Sequence, residues 1–163
     1  MKVDQYTRLS RKTFGDLDES GTPTARFAAV PPELHPLVLA YIGDGFFNLF
    51  VRTRLLHFEQ NKVRVLHSHG SRMVSATLQA YALRALEDEL TEEERAVVRR
   101  GRNAKSTVPK SASVADYRYS TGFEALLGFL YLKGENTRLT ELAENAFAII
   151  SRKLANLDGS CEE

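Results

Sequence analysis

Residues 37–56 read LVLAYIGDGFFNLFVRTRLL. A run this long and this apolar exceeds any ordinary strand, so it predicts a helix. On a wheel of 100° per residue it is apolar on most sides, and such a helix demands burial. The exceptions lie near one direction: Asp44 and, one turn later, Asn48. An ionised aspartate in this setting is costly unless it is paired, hydrogen-bonded or on a metal. Gly43 and Gly45 flank it. Each mid-helix glycine costs ~1 kcal/mol against alanine. Removing both side chains lets another helix, or a ligand, come close to Asp44.

The rest of the chain from Glu33 onward is also helical in pattern, and no convincing strand occurs. Apolar residues three and four apart run from 62 to 90, with a break expected at Gly70-Ser71. Thr91 with Glu94 three residues on forms a capping box for a helix ending near Asn103. Residues 104–112, AKSTVPKSA, read as a loop. Ser113 with Asp116 marks another start, and Gly134 a natural stop. Residues 137–154 form a last amphipathic helix. The expectation is an all-α fold of six or seven helices. Residues 1–33, with three of the five prolines, read as an N-terminal extension, partly ordered at best. A single domain is expected over 34–155, with a tail at 156–163.

The second apolar helix repeats the pattern of the first. FEALLGFLYL (123–132) carries one charge, Glu124, with Gly128 one turn on and Ser120 and Thr121 one turn before. Two carboxylates converging in a helical core attract a divalent cation. The alternative is that each acid pairs with a base or caps a neighbouring helix.

Composition excludes several classes. Lys+Arg 22 against Asp+Glu 21 gives +1, too little for nucleic-acid binding by bulk charge. The lone cysteine, Cys161, cannot form an internal disulfide or a cysteine zinc site. No apolar run is long enough to span a membrane, and the N-terminus lacks a signal-peptide pattern, so a soluble cytoplasmic protein is expected. His67 and His69 are two apart and share no helix face.

Near-neutrality hides a local asymmetry. Six bases and no acid lie between Arg95 and Lys110, just after six acids between Glu87 and Glu94. Arg99, Arg100, Arg102, Lys105 and Lys110 suit a phosphate-contact strip. Complementarity to the helix dipole accounts for the three arginines equally well, but less well for the two lysines beyond the helix end.

Three segments together resemble one family. LAYIGDGFFNLFVR (39–52) is similar to the signature helix of the ribonuclease III domain. RRGRNAKSTVPK (99–110) and YRYSTGFEALLGFLYL (117–132) resemble its small subfamily, Mini-ribonuclease III. The resemblance covers roughly residues 35–150. It implies an all-α, homodimeric, Mg²⁺-dependent endoribonuclease (Mn²⁺ as substitute) that cuts double-stranded RNA and leaves 5′ phosphates. The subfamily is associated with maturation of the large-subunit (23S) ribosomal RNA precursor, and lacks a separate double-stranded-RNA-binding domain. By likeness, Asp44 matches the family's essential aspartate and Glu124 its metal-binding glutamate. Asn48 and Thr121 are placed to hold waters around the metal. Longer relatives carry acids where this chain has Leu37, Ala40 and Thr121, and the subfamily often has Glu where it has Asn48. Fewer carboxylates per protomer imply one firmly held metal, with a second arriving with the RNA phosphate. The rival expectation is a non-catalytic RNA-binding or ribosome-assembly module that kept the fold.

Overall fold

The computed structural model describes residues 33–105 and 112–159. Among these residues there are six α-helices and no strand. They are α1 (Pro36–Leu55), α2 (Val63–Met73), α3 (Ala76–Leu86), α4 (Glu92–Asn103), α5 (Val114–Lys133) and α6 (Asn136–Gly159). A 3-10 turn, Glu87–Glu89, links α3 to α4. None of these helices is long and apolar enough to cross a membrane.

Local chemistry sets most boundaries. Pro36 occupies the first turn of α1, where its missing N–H costs nothing, and His35 accepts a hydrogen bond from the Leu37 N–H. Thr91 and Glu94 make the expected reciprocal capping box of α4. The Ser113 side chain caps α5 by accepting from the Asp116 N–H. Gly134 ends α5 at φ +79°, a left-handed conformation suited to glycine.

Two boundaries differ from the sequence expectation. The break between α2 and α3 falls at Val74-Ser75, not at Gly70-Ser71. Gly70 stays helical and buried, with the Leu55 side chain of α1 in ordinary contact distance of where its Cβ would be. The last helix continues to Gly159, five residues past the expected end.

Helix α5 is the central element, with α1, α4 and α3 packed around it and α6 closing the α3 side. The core joins Leu39, Phe47 and Val51 of α1 to Leu83 and Leu86 of α3. Phe123, Leu126, Leu127 and Phe129 of α5 and Leu142 and Ile150 of α6 complete it. Each such side chain contributes ~1.5–3 kcal/mol on burial.

Glycine sets how closely α1 and α5 approach. A Cβ on Gly43 would collide with the Glu124 carbonyl, and one on Gly128 with the Leu39 carbonyl. The two backbones therefore touch, and this crossing places Asp44 beside the turn of α5 that bears Glu124. Gly45 behaves differently: nothing lies within 4 Å of where its Cβ would be. Of the two glycines flanking Asp44, Gly43 admits the neighbouring helix and Gly45 faces open space.

Candidate active site

Asp44 and Glu124 line one open cleft of about 380 Å³, together with Leu37, Ala40, Tyr41, Tyr117 and Thr121. The two helices that sequence reading marked as carrying acids in apolar surroundings thus bring those acids together. Leu37, Ala40 and Thr121, none of them acidic, also line this cleft. The described residues accordingly hold no group of three or more histidine, cysteine, aspartate or glutamate side chains arranged for a metal.

Each acid has its own support. Asn48, one turn beyond Asp44, donates its side-chain amide to the Asp44 carboxylate at 2.8 Å and to its carbonyl at 3.0 Å. That fixes the rotamer of an otherwise exposed carboxylate. Glu124 is half-buried. Burial first, and the Asp44 charge second, push its carboxyl up to about 8. A hydrogen bond from Gln79 opposes both. Thr121 and Ser120 both donate their hydroxyls to the Tyr117 carbonyl at 2.9 Å, so Thr121 lines the cleft while anchored to its own helix.

The donor set fits a hard divalent cation. It offers two carboxylates in mutual repulsion, one of them poorly solvated, in a cleft open to solvent. A dication relieves both the repulsion and the desolvation.

The basic candidates divide into two kinds. Arg102 lies over the Tyr119 ring at 3.8 Å and 3.6 Å from the Glu87 carboxylate. Arg84 takes the same ring at 4.3 Å and pairs with Asp116 at 3.0 Å. Arg100 donates to the Leu34 carbonyl at 2.8 Å. Arg102 and Arg100 therefore have structural partners. Arg99 and Lys105 are exposed, and Lys110 lies outside the described residues. Sequence reading did not single out Gln79: one glutamine within ATLQAYALRAL gives no motif, and Glu124, whose carboxyl it influences, is 45 residues away.

A second depression, of about 330 Å³, lies between α1 and α2 and is lined by Asn48, Leu49, Leu56, Leu66 and Gly70 among others. α1 leaves Tyr41 (78%), on the wall of the acidic cleft, and Leu49 (67%), on the wall of this depression, exposed, and Phe58 after the helix is 78% exposed.

Comparison with known proteins accounts for this arrangement. The ribonuclease III domain model matches residues 37–135. A Mini-ribonuclease 3 of Symbiobacterium thermophilum is 52% identical over 125 residues, covering 76% of this chain and 96% of that protein. One from a Thermoanaerobacter species is 48% identical, covering 72% and 83%. A crystal structure of a Fusobacterium nucleatum protein superposes with a TM-score of 0.66 at 26% identity, covering 72% of this chain and 94% of that one. The chain belongs to the ribonuclease III domain family and, within it, to the Mini-ribonuclease 3 group.

Proposed function

We propose that this ribonuclease III-type endoribonuclease is a Mg²⁺-dependent enzyme that cuts double-stranded RNA, with Asp44 and Glu124 as its metal-holding catalytic pair. The observation that carries this reading is the meeting of the two acids in one open cleft across the Gly43–Gly128 crossing. A divalent cation held there supplies Lewis acidity, lowering the pKa of water from about 15.7 and offsetting charge on the scissile phosphate. The protein supplies orientation. Asn48 holds the Asp44 carboxylate, and Thr121, tied to the Tyr117 carbonyl, keeps a polar oxygen on the cleft wall for ordered water. Products carry a 5′ phosphate and a 3′ hydroxyl.

Duplex RNA is read by shape, through phosphate and 2′-hydroxyl groups. Arg99 and Lys105, exposed at the end of α4, are the described bases placed for such contacts, with Lys110 a further candidate from the sequence. In a cytoplasmic setting the substrate is a stem of the 23S ribosomal RNA precursor, as the resemblance implies.

A homodimer completes the reading. Tyr41 and Leu49 lie on one face of α1 with Gly45 between them, where nothing fills the space of a side chain. A second copy covers that face, so each dimer carries two sites, one per strand. Leu49→Glu is expected to give monomers by sedimentation velocity at concentrations where the wild type is dimeric.

The deciding experiment is cleavage of a labelled duplex with Mg²⁺, with EDTA, and by Asp44→Asn, with duplex binding followed by gel shift in Ca²⁺. Cutting that needs Mg²⁺ and is lost in a variant that still binds supports the nuclease reading. Binding without cutting by the wild type, even on a ribosomal RNA precursor stem, moves the protein to the rival class of RNA-binding modules.

A further inference from the structure

The cleft that holds Asp44 and Glu124 poses a problem of charge. Its substrate under the nuclease reading is a phosphodiester, itself an anion, yet two carboxylates stand in the wall. The other lining residues are Leu37, Ala40, Tyr41, Tyr117 and Thr121, so no lysine or arginine is among the described residues that line it. A bound cation offsets part of this charge. Any hydrogen bond that the wall itself offers a phosphate oxygen comes from a hydroxyl, of Tyr41, Tyr117 or Thr121. These three differ. A hydroxyl has one hydrogen to give, and Thr121 commits its own to the Tyr117 carbonyl at 2.9 Å. Tyr41 is 78% exposed, on the α1 face given to a second copy. Tyr117 is half-buried. Its hydrogen bonds among the described residues all use its backbone. The N–H donates to the Ser113 carbonyl at 2.9 Å, and the carbonyl accepts from Ser120 and Thr121. The phenol O–H is thus uncommitted.

The turn that carries Tyr117 is firmly held. Tyr117, Thr121 and Glu124 are four and then three residues apart, on one face of α5. Asp116, the residue before, is bonded to Arg84 of α3 at 3.0 Å. Tyr119, two residues on, lies against the guanidinium groups of Arg84 at 4.3 Å and Arg102 at 3.8 Å. Both α3 and α4 therefore grip the stretch of α5 that bears Tyr117. A donor held rigidly beforehand costs no reorganisation during the reaction. We propose that Tyr117 is a further catalytic residue, whose phenol O–H donates to a non-bridging oxygen of the scissile phosphate. The phenol keeps its proton throughout. Negative charge grows on that oxygen as water adds to phosphorus. The hydrogen bond therefore strengthens in the transition state, and it speeds the reaction more than it tightens binding.

This role rests on the nuclease reading, and its test separates the two. Tyr117→Phe removes only an oxygen that has no protein partner among the described residues, so the variant should fold with the Tm of the wild type. Single-turnover cleavage of a labelled duplex in Mg²⁺ should fall about a hundredfold. Duplex affinity in Ca²⁺ should change less than about twofold. Half-saturating Mg²⁺ should stay at the wild-type value, which a damaged metal site would not allow. Contact with the substrate is read separately by fluorine NMR of protein labelled with fluorotyrosine. The Tyr117 signal is assigned by its loss in Tyr117→Phe. It should shift when duplex is added in Ca²⁺. Cleavage by Tyr117→Phe at the wild-type rate, an unmoved signal, or a rate loss confined to Tyr41→Phe overturns the proposal while the nuclease reading stands. A wild type that binds duplex but never cuts removes both.

Discussion

Two buried or half-buried glutamates, Glu94 and Glu124, have been solved in opposite ways by the same small fold. Glu94 is 4% exposed, yet its carboxyl stays below the usual carboxylate range. Burial pushes it up, but this is outweighed by two bonds from Arg138, at 2.9 and 3.2 Å, and by the Thr91 N–H at 2.8 Å. Glu124 has no base among its determinants. It faces another acid, and its carboxyl rises to about 8. The Glu94 node ties α4 to α6 and leaves nothing for a ligand to do. The Glu124 cleft leaves the charged form uncompensated, so it takes up a proton more readily than an ordinary carboxyl and is open to a cation instead. Compensation distinguishes an acid that holds the fold from one held ready for chemistry.

Five substitutions test this contrast, in falling order of effect. Asp44→Asn removes half of the uncompensated pair. It should reduce cleavage at least about a thousandfold, on the order of 4 kcal/mol of barrier. Single-turnover cleavage checks it, with duplex affinity in Ca²⁺ expected to stay within a few-fold of wild type. Glu94→Gln strips the compensated node and leaves Arg138 without its main partner. A loss of about 3 kcal/mol at pH 7 is expected from urea unfolding. Because the native pKa is depressed, that loss shrinks as pH falls through the carboxylate range.

Glu124→Gln should do the reverse. A carboxyl whose native pKa is raised destabilises the fold as pH climbs from 4.5 towards about 8, since the native state then binds more protons than the unfolded one. In EDTA the variant should match the wild type near pH 4 and exceed it by about 2 kcal/mol at pH 8–9, a few degrees in Tm. Saturating Mg²⁺ should narrow that gap by stabilising only the wild type. A Glu124→Gln protein that is less stable at pH 8 would place this residue with Glu94 after all. The smallest effects belong to the arginines. Arg102→Ala should cost about 1 kcal/mol of stability through loss of its Tyr119 and Glu87 contacts. Arg99→Ala should leave stability unchanged and lower the salt-dependence slope of duplex binding by about one.

The contrast was only partly legible in the sequence. Asp44 and Glu124 stood out because each is a lone acid in an apolar helix beside a glycine, and the structure brings them into one cleft. The capping box of Thr91 and Glu94 was equally plain, because it is local. What it did not reveal is that Glu94 has a second life 44 residues away, on Arg138. The Arg84–Tyr119–Arg102 stack was hidden for the same reason: its members lie on three different helices. Gly70 misled because glycine inside a helix reads as a break, whereas here the helix runs through it to Met73. Local rules locate elements and flag costly residues. They cannot say which distant group settles the cost.

The stack on Tyr119 bears on how such a protein can vary. Arg102 comes from the last turn of α4 and Tyr119 from the second turn of α5, with Arg84 of α3 on the same ring and bonded to Asp116. The end of one helix and the start of the next are thus pinned to each other and to a third, independently of the chain between them. A change in chain length between helices pinned in this way carries a small entropic cost. Doubling that length costs only ~0.6 kcal/mol in closure entropy. The relative placement of α3, α4 and α5, and with it the alignment of the two acids, is thus secured by side chains of the helices themselves.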